Sequence, residues 1–312
     1  MKIQGVVPVM MLPLNDDESI DEATLRKQVD FAVAAGAAAV CAPGFATEFY
    51  KLSDEERRWV IRVVAEQAGG RVPMFASTGC GSARATIELS HYAESVGADG
   101  LMVAAPKWCP LGVREQAVFF EMVCRNVGLP VMLQDADFTG AGLPASLIVD
   151  LAERCPNLEF AKLENILPGS KCSEIIRLSQ GRVQVLYGMA GIALMDGLDR
   201  GATGVMPGPS FVEVYVRVFE LYGDGRISES KALFYRMQPY IVFSVQHLEL
   251  VIQMDKRALV RRGVFPSDRV REPTICFDAE YQRQMDELVD LMWHVCQEVQ
   301  ASESSGAGSL PS

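Results

Sequence analysis

The chain has 312 residues, 49% of them hydrophobic and 22% charged, with a formal net charge of −11. A chain this long buries roughly 75% of its unfolded surface, so its core requires no disulfide or metal staple. The acidic balance disfavours phosphate backbones and anionic lipid as partners, so neither nucleic acid nor membrane is expected, and a site for an acid must supply its own positive charge or N–H donors.

Short apolar or β-branched runs alternate with helical periodicity along the chain. The runs at 6–11, 38–42, 72–77, 100–105, 130–136, 158–164, 183–187 and 204–206 read as strands. Helical patterns lie near 21–35, 53–68, 83–96, 113–127, 144–154, 170–180, 192–200 and 211–222. Gly36, Gly69, Gly97, Gly128, Gly181 and Gly201 stand where helices should stop, because glycine tolerates the left-handed backbone that closes a helix. Ser53, with Glu56 three residues on, reads as a capping box. Eight strand–helix units imply a closed parallel (β/α)8 barrel. An open sheet would favour a glycine-rich first turn, but 12–17 contains no glycine, and no G-x-G-x-x-G or P-loop motif occurs. Nucleotide cofactors therefore lack support, and no cofactor is expected. The barrel is assigned to 1–225, a helical extension to 226–300, and a low-complexity, disordered tail to 301–312. Pro239 is expected to kink or end the first helix of the extension.

The cysteines Cys41, Cys80, Cys109, Cys124, Cys155, Cys172, Cys276 and Cys296 show no C-x-x-C spacing. Metal knuckles and redox pairs are thus not expected, and scattered thiols suit a reducing cytoplasm, with Cys124 and Cys155 as core residues. The N-terminus has no long apolar region, so no signal peptide is expected, and no apolar run reaches the roughly 18 residues of a membrane span. His91, His247 and His294 all fall in helical patterns rather than at strand ends. A zinc site or a Ser-His-Asp triad is not expected, and no cluster of inward acids suggests magnesium.

In a barrel, chemistry sits at the C-terminal ends of strands, on the side chains that alternate into the lumen. On the sixth strand Leu158, Phe160, Lys162 and Glu164 share one face, and Ala161 and Leu163 the other. Lys162 and Glu164 then point inward near the catalytic end. Desolvation there favours the neutral amine, which is the form that attacks a ketone. Glu164 is placed to neutralise the ammonium or to accept a proton. The plain alternative for Lys162 is a snorkelling or ion-paired lysine. On the fifth strand Met132, Gln134 and Ala136 share the inner face, so Gln134 stands beside Lys162, while Asp135 points outward. Gln134 hydrogen-bonds but cannot shuttle a proton. After the second strand comes Gly44-Phe45-Ala46-Thr47-Glu48. Thr47 and nearby backbone N–H groups suit a carboxylate, with capping by Thr47 and a structural acceptor role for Glu48 as the alternative.

This layout resembles the dihydrodipicolinate synthase / N-acetylneuraminate lyase superfamily over about 3–300. The resemblance implies a homotetrameric barrel with extra C-terminal helices (or a dimer), whose Lys162 forms a Schiff base with pyruvate or another 2-oxo acid. Departures from the family pattern matter. Gly44-Phe45-Ala46-Thr47-Glu48 replaces a Gly-Thr-Thr-Gly-Glu loop, Gln134 stands where a tyrosine is usual, and Lys107 and Trp108 replace paired tyrosines. The loop Asp137-Phe138-Thr139-Gly140 lacks the arginine that synthases carry there. Gln134-Asp135-Ala136, Lys162-x-Glu164, Thr47-Glu48 followed by Asp54-Glu55-Glu56-Arg57, and Gly201-Ala-Thr-Gly-Val205 are similar to the 2-keto-3-deoxy-L-arabonate dehydratase branch.

The expected function is dehydration of a 2-keto-3-deoxy sugar acid. Lys162, Glu164 and Gln134 form the catalytic set, and Thr47, Glu48, Ala46, Gly188 and Met206 contact the substrate. The alternatives are a pyruvate-releasing aldolase, a condensing synthase, or a non-catalytic binder of 2-oxo acids.

Overall fold

The computed structural model describes residues 1–106 and 111–306; 107–110, with Lys107, Trp108 and Cys109, and 307–312 lie outside the described residues. Its eight strands are β1 (Gly5–Val6), β2 (Val40–Ala42), β3 (Met74–Ser77), β4 (Gly100–Ala104), β5 (Val131–Asp137), β6 (Leu158–Asn165), β7 (Gln184–Tyr187) and β8 (Gly204–Val205). All are parallel, and β1 pairs with β8 at one seam. At the other, a bridge joins Val9 to Cys41, Ala38 N–H donates to Val6 O at 2.8 Å, and Cys41 N–H donates to Pro8 O at 3.0 Å. The sheet thus closes into the expected (β/α)8 barrel.

The outer ring is α1 (Glu22–Ala34), α2 (Asp54–Ala68), α3 (Ala83–Ser95), α4 (Val113–Cys124), α5 (Ala145–Arg154), α6 (Pro168–Ser179), α7 (Leu194–Asp199) and α8 (Val212–Gly223). Their starts follow local capping chemistry: Asp21, Ser53 and Ser82 each accept an N–H of the first turn, and Ser53 and Glu56 complete the capping box. After the barrel come α9 (Ile227–Ser244), α10 (Leu248–Arg261) and α11 (Ala279–Gly306).

Two cores result. The larger lies between strands and helices. The smaller fills the lumen with Ile3, Val7, Val9, Ala39, Cys41, Phe75, Met102, Met132, Phe160, Leu186 and Met206. Phe75 and Phe160 meet edge to face, centroids 5.4 Å apart, and plug the middle of the barrel. β5 and β6, seven and eight residues long, are the longest strands, and they carry polar residues beyond this plug to the catalytic end.

Five local features differ from the sequence reading. Leu158 belongs to the outer core, because β5 and β6 shift register between Val131 and Met132 and the inward alternation starts at Phe160. Gly128 closes no helix: α4 ends at Cys124 and is capped by Arg125. Pro239 lies inside α9, and the break comes later, between Ser244 and Leu248. The first strand pairs only over Gly5–Val6, although the chain stays beside β2 through Val9. The last helix runs to Gly306, six residues into the segment read as tail. No helix among the described residues is long and apolar enough to cross a membrane.

Candidate active site

Lys162 and Glu164 point into the open end of the barrel from β6, above Phe160. Both are buried, at 3% and 6% exposure. Lys162 Nζ stands 3.0 Å from Glu164 Oε1. Gln134 is paired with Lys162 in the β5–β6 register, and its Nε2 donates to Glu164 Oε2 at 2.6 Å. The Met189 backbone N–H reaches Glu164 Oε1 at 3.4 Å. One carboxylate is thus held on both oxygens, with the amine against one of them. Cys41 lies buried below; burial pushes its thiol up to about 12 against the pull of the nearby Lys162 ammonium, so it stays a neutral core thiol.

Gly188 explains how the carboxylate fits. A Cβ at this position would fall 2.2 Å from Glu164 Cγ, so only glycine leaves room for Glu164 as it stands.

The space above Lys162 is a cavity of about 570 Å³. Val9, Phe45, Ala46, Phe138, Met206 and Pro207 give it apolar walls, and Lys162 and Glu164 its polar floor. Phe45 and Phe138 meet edge to face across one side, centroids 5.6 Å apart. After β7, Met189 and Ala190 take left-handed backbone (φ 49° and 50°), and Tyr215 OH donates to Ala190 O at 2.6 Å to hold the turn. Met189 and Ala190 border the cavity as well.

The structure brings together Lys162, Glu164, Ala46 and Met206 as cavity residues. Gln134 and Gly188 stand behind Glu164 rather than in the cavity wall. Thr47 and Glu48 turn elsewhere. The Thr47 hydroxyl donates to Met10 O at 2.5 Å and accepts from Gly44 N–H at 2.9 Å, so it braces its own loop. Glu48, fully buried, pairs with Lys256 Nζ at 2.6 Å and Lys51 Nζ at 3.2 Å and accepts from Arg271 N–H at 3.1 Å. It ties the loop to α10 and the segment beyond. These are the capping and structural-acceptor alternatives for the two residues. Asp135 faces outward as its phase requires, bound to Lys171 Nζ at 2.5 Å, Asn165 Nδ2 at 2.6 Å and Leu143 N–H at 2.9 Å.

A fourth side of the cavity comes from outside the barrel. Tyr50, Gln246, His247 and Glu249 form a polar rim at the mouth. Tyr50 OH donates to Glu249 Oε1 at 2.6 Å, Lys51 Nζ pairs with Glu249 at 2.9 Å, and Thr274 Oγ1 donates to Glu249 Oε2 at 2.6 Å. Burial raises the Glu249 carboxyl, but the Thr274, Tyr50 and Lys51 hydrogen bonds outweigh it and hold the group below the ordinary value, so it is ionised at neutral pH. Burial, then Glu249, pushes the Tyr50 hydroxyl up, which keeps it protonated. The helical pattern around His247 carried no mark of a site; its one local signal was the break before Leu248, which His247 caps by accepting Glu249 N–H on Nδ1 at 3.1 Å.

The dihydrodipicolinate synthetase family model matches residues 2–291. The chain is 28% identical over 275 residues to the L-2-keto-3-deoxyarabonate dehydratase of Azospirillum brasilense, covering 86% of this chain and 88% of that one. It is 36% identical over 154 residues to a Bradyrhizobium protein named "Probable 5-dehydro-4-deoxyglucarate dehydratase", covering 49% of this chain and 48% of the relative. The solved 4-hydroxy-tetrahydrodipicolinate synthase of Methylacidiphilum fumariolicum SolV superposes with a TM-score of 0.87 at 21% identity, covering 96% of this chain and 99% of that one. With nine-tenths of its length matched by one family model, the chain belongs to the dihydrodipicolinate synthetase family.

Proposed function

We propose that the protein is a Schiff-base lyase that dehydrates a 2-keto-3-deoxy sugar acid. The observation that carries this reading is the buried Lys162 at the cavity floor, 3.0 Å from a carboxylate whose far oxygen is held by Gln134. Similarity to the Azospirillum dehydratase over most of both chains supports it.

Transfer of a proton from Lys162 to Glu164 leaves a neutral amine, which adds to C2 of the substrate. The C2 oxygen leaves as water, taking one proton from the amine and the one that Glu164 had accepted, so an iminium forms beside a restored carboxylate. That cation acidifies the C3 protons. Glu164 takes one, the C4–O bond breaks, and the departing hydroxide is protonated by the carboxyl that has just received the C3 proton. Water then hydrolyses the iminium and returns Lys162. One carboxylate suffices because its two duties are sequential. No aldehyde acceptor takes part, so a tyrosine at the position of Gln134 is dispensable. The substrate's own carboxylate is met by the N–H groups of Phe45 and Ala46, at the start of a turn of 3-10 helix (Phe45–Thr47) beside the cavity.

Borohydride reduction in the presence of 2-keto-3-deoxyarabonate, followed by intact mass, tests the reading. An adduct in the wild type that is absent in Lys162→Ala is expected, together with loss of water from the free substrate. The reading fails if the adduct survives Lys162→Ala or never forms. Pyruvate detected by a coupled dehydrogenase would instead make the enzyme an aldolase, and an adduct without turnover would make it a binder. The implied homotetramer is part of the same proposal. Ile166 and Leu167, 54% and 81% exposed after β6, give the barrel shell an apolar surface for such contacts, and light scattering of the pure protein gives the assembly mass.

A further inference from the structure

The cavity has two chemically different ends. Its floor carries the amine and the carboxylate; its mouth carries hydrogen-bonding groups from Tyr50 and from the junction of α9 and α10. The described cations around the mouth are already committed. Lys51 Nζ lies against Glu48 at 3.2 Å, Glu249 at 2.9 Å and Arg271 O at 2.9 Å. Lys256 Nζ is engaged by Glu48 at 2.6 Å and Arg269 O at 2.7 Å. Arg271 pairs with Glu56 at 2.8 Å and also donates to Glu18 O at 2.6 Å. Among the described residues lining the cavity, Lys162 is the one cation, and it is consumed at the ketone. The ionised Glu249 at the rim adds a charge that a second carboxylate would have to approach.

His247 supplies what a neutral chain end needs. Its Nδ1 accepts the Glu249 N–H at 3.1 Å, so in the neutral ring the proton sits on Nε2. Nε2 has no hydrogen-bond partner among the described residues, and the ring borders the cavity. It is a directed donor without a net charge, which suits a hydroxyl and holds a carboxylate only weakly in the absence of a cation.

We infer that the mouth selects 2-oxo monoacids whose far end is a neutral hydroxyl over those ending in a second carboxylate, with His247 positioning that hydroxyl. The inference rests on the Schiff-base reading above and narrows its substrate class. It separates the two kinds of dehydratase to which the chain is similar, since a 4-deoxyglucarate is a diacid and a 3-deoxyarabonate is not.

The test is steady-state turnover of 2-keto-3-deoxyarabonate and of 5-dehydro-4-deoxyglucarate, with borohydride trapping of each of these and of pyruvate in parallel. The wild type is expected to favour the monoacid in kcat/KM by at least about tenfold. His247→Asn keeps an acceptor for the Glu249 N–H and withdraws the Nε2 donor. It is expected to raise KM for the monoacid about tenfold with a smaller change in kcat. Pyruvate, which has no far end, should still be trapped by this variant. Gln246→Arg adds an uncommitted cation to the rim and is expected to raise kcat/KM for the diacid about tenfold. Equal use of both acids by the wild type, or a monoacid KM unmoved in His247→Asn, overturns the inference while leaving the lyase in place. Failure to trap any of the three compounds removes the Schiff-base reading, and this one with it.

Discussion

Gln134 on β5 donates to the oxygen of Glu164 that faces away from Lys162, at 2.6 Å, while the amine holds the other oxygen at 3.0 Å. The amide carries no proton chemistry of its own; its effect is to fix the angle at which the carboxylate meets the amine. Gln134→Leu preserves bulk and leaves Glu164 Oε2 buried without a donor. Such an orphaned acceptor costs about 1–3 kcal/mol. We expect kcat to fall roughly ten- to a hundredfold with KM within about threefold of wild type, measured by steady-state kinetics. An unchanged kcat would show that the carboxylate needs no second anchor.

Gly188→Ala tests the same carboxylate from the other side. Gly188 has φ −95°, which any residue adopts, so the cost is steric: the new Cβ would lie 2.2 Å from Glu164 Cγ. Glu164 must rotate away from Lys162. We expect a loss of more than tenfold in turnover and about 1–3 kcal/mol in stability from overpacking. Borohydride trapping should be slowed in the variant; trapping at the wild-type rate would place Glu164 outside the amine's activation.

Asp255 gives a pH prediction away from the site. It is fully enclosed on α10, accepts from Ser210 Oγ at 2.5 Å and Tyr240 OH at 3.0 Å, and has no cation partner among the described residues. Burial pushes its carboxyl up to about 6, against the two hydroxyl donors. An acid whose folded value is raised stabilises the fold below the unfolded value near 3.8, and this contribution is lost as pH rises through 6. At one pKa unit per 1.36 kcal/mol the loss is about 3 kcal/mol. Asp255→Asn lacks it. Chemical denaturation of both proteins should show the difference between them moving in favour of the variant from pH 4 to 7. A difference that stays constant across that range contradicts the assignment.

The Glu48–Lys256 pair, with both side chains fully buried, makes a second stability prediction. Lys256→Met leaves Glu48 with Lys51 and a backbone N–H but without its nearest cation. Breaking a buried pair by removing one partner costs about 3–5 kcal/mol. Lys256→Met combined with Glu48→Gln should recover part of that loss, measured by urea midpoint. If the double variant is no more stable than the single one, the pair is not the source of the cost.

Parts of this site were legible in the chain because they obey a local rule. Lys162 and Glu164 are polar residues in an apolar strand, and a period of two puts both on the face of Phe160. The same rule misplaced Leu158, because it assumes a register without irregularities and the β5–β6 ladder has one at that end. Thr47 looked like a ligand because hydroxyls in short loops often are, yet its partners, Met10 O and Gly44 N–H, come from folding the loop back on the first strand. Pro239 sits within α9 without ending it, and the actual break a few residues on left only a faint mark. His247 is silent in the sequence for a different reason. Nothing near it in sequence places it over β6; that depends on α10 docking against the turn after β2 through Glu48 and Lys256, residues 208 positions apart. A contact of that span has no periodic signature.

The junction between α9 and α10 has a consequence for how such enzymes diversify. The amine and carboxylate of the proposed chemistry lie on a strand locked by the register of the whole barrel, whereas one side of the entrance comes from a connection of three residues between appended helices. If the inferred role of His247 holds, changes at 245–247 are expected to alter which molecule is admitted without disturbing the alignment of amine and carboxylate. A library confined to those positions, with Glu48 and Lys256 kept to anchor the helix, would sample new specificities on an intact catalytic base.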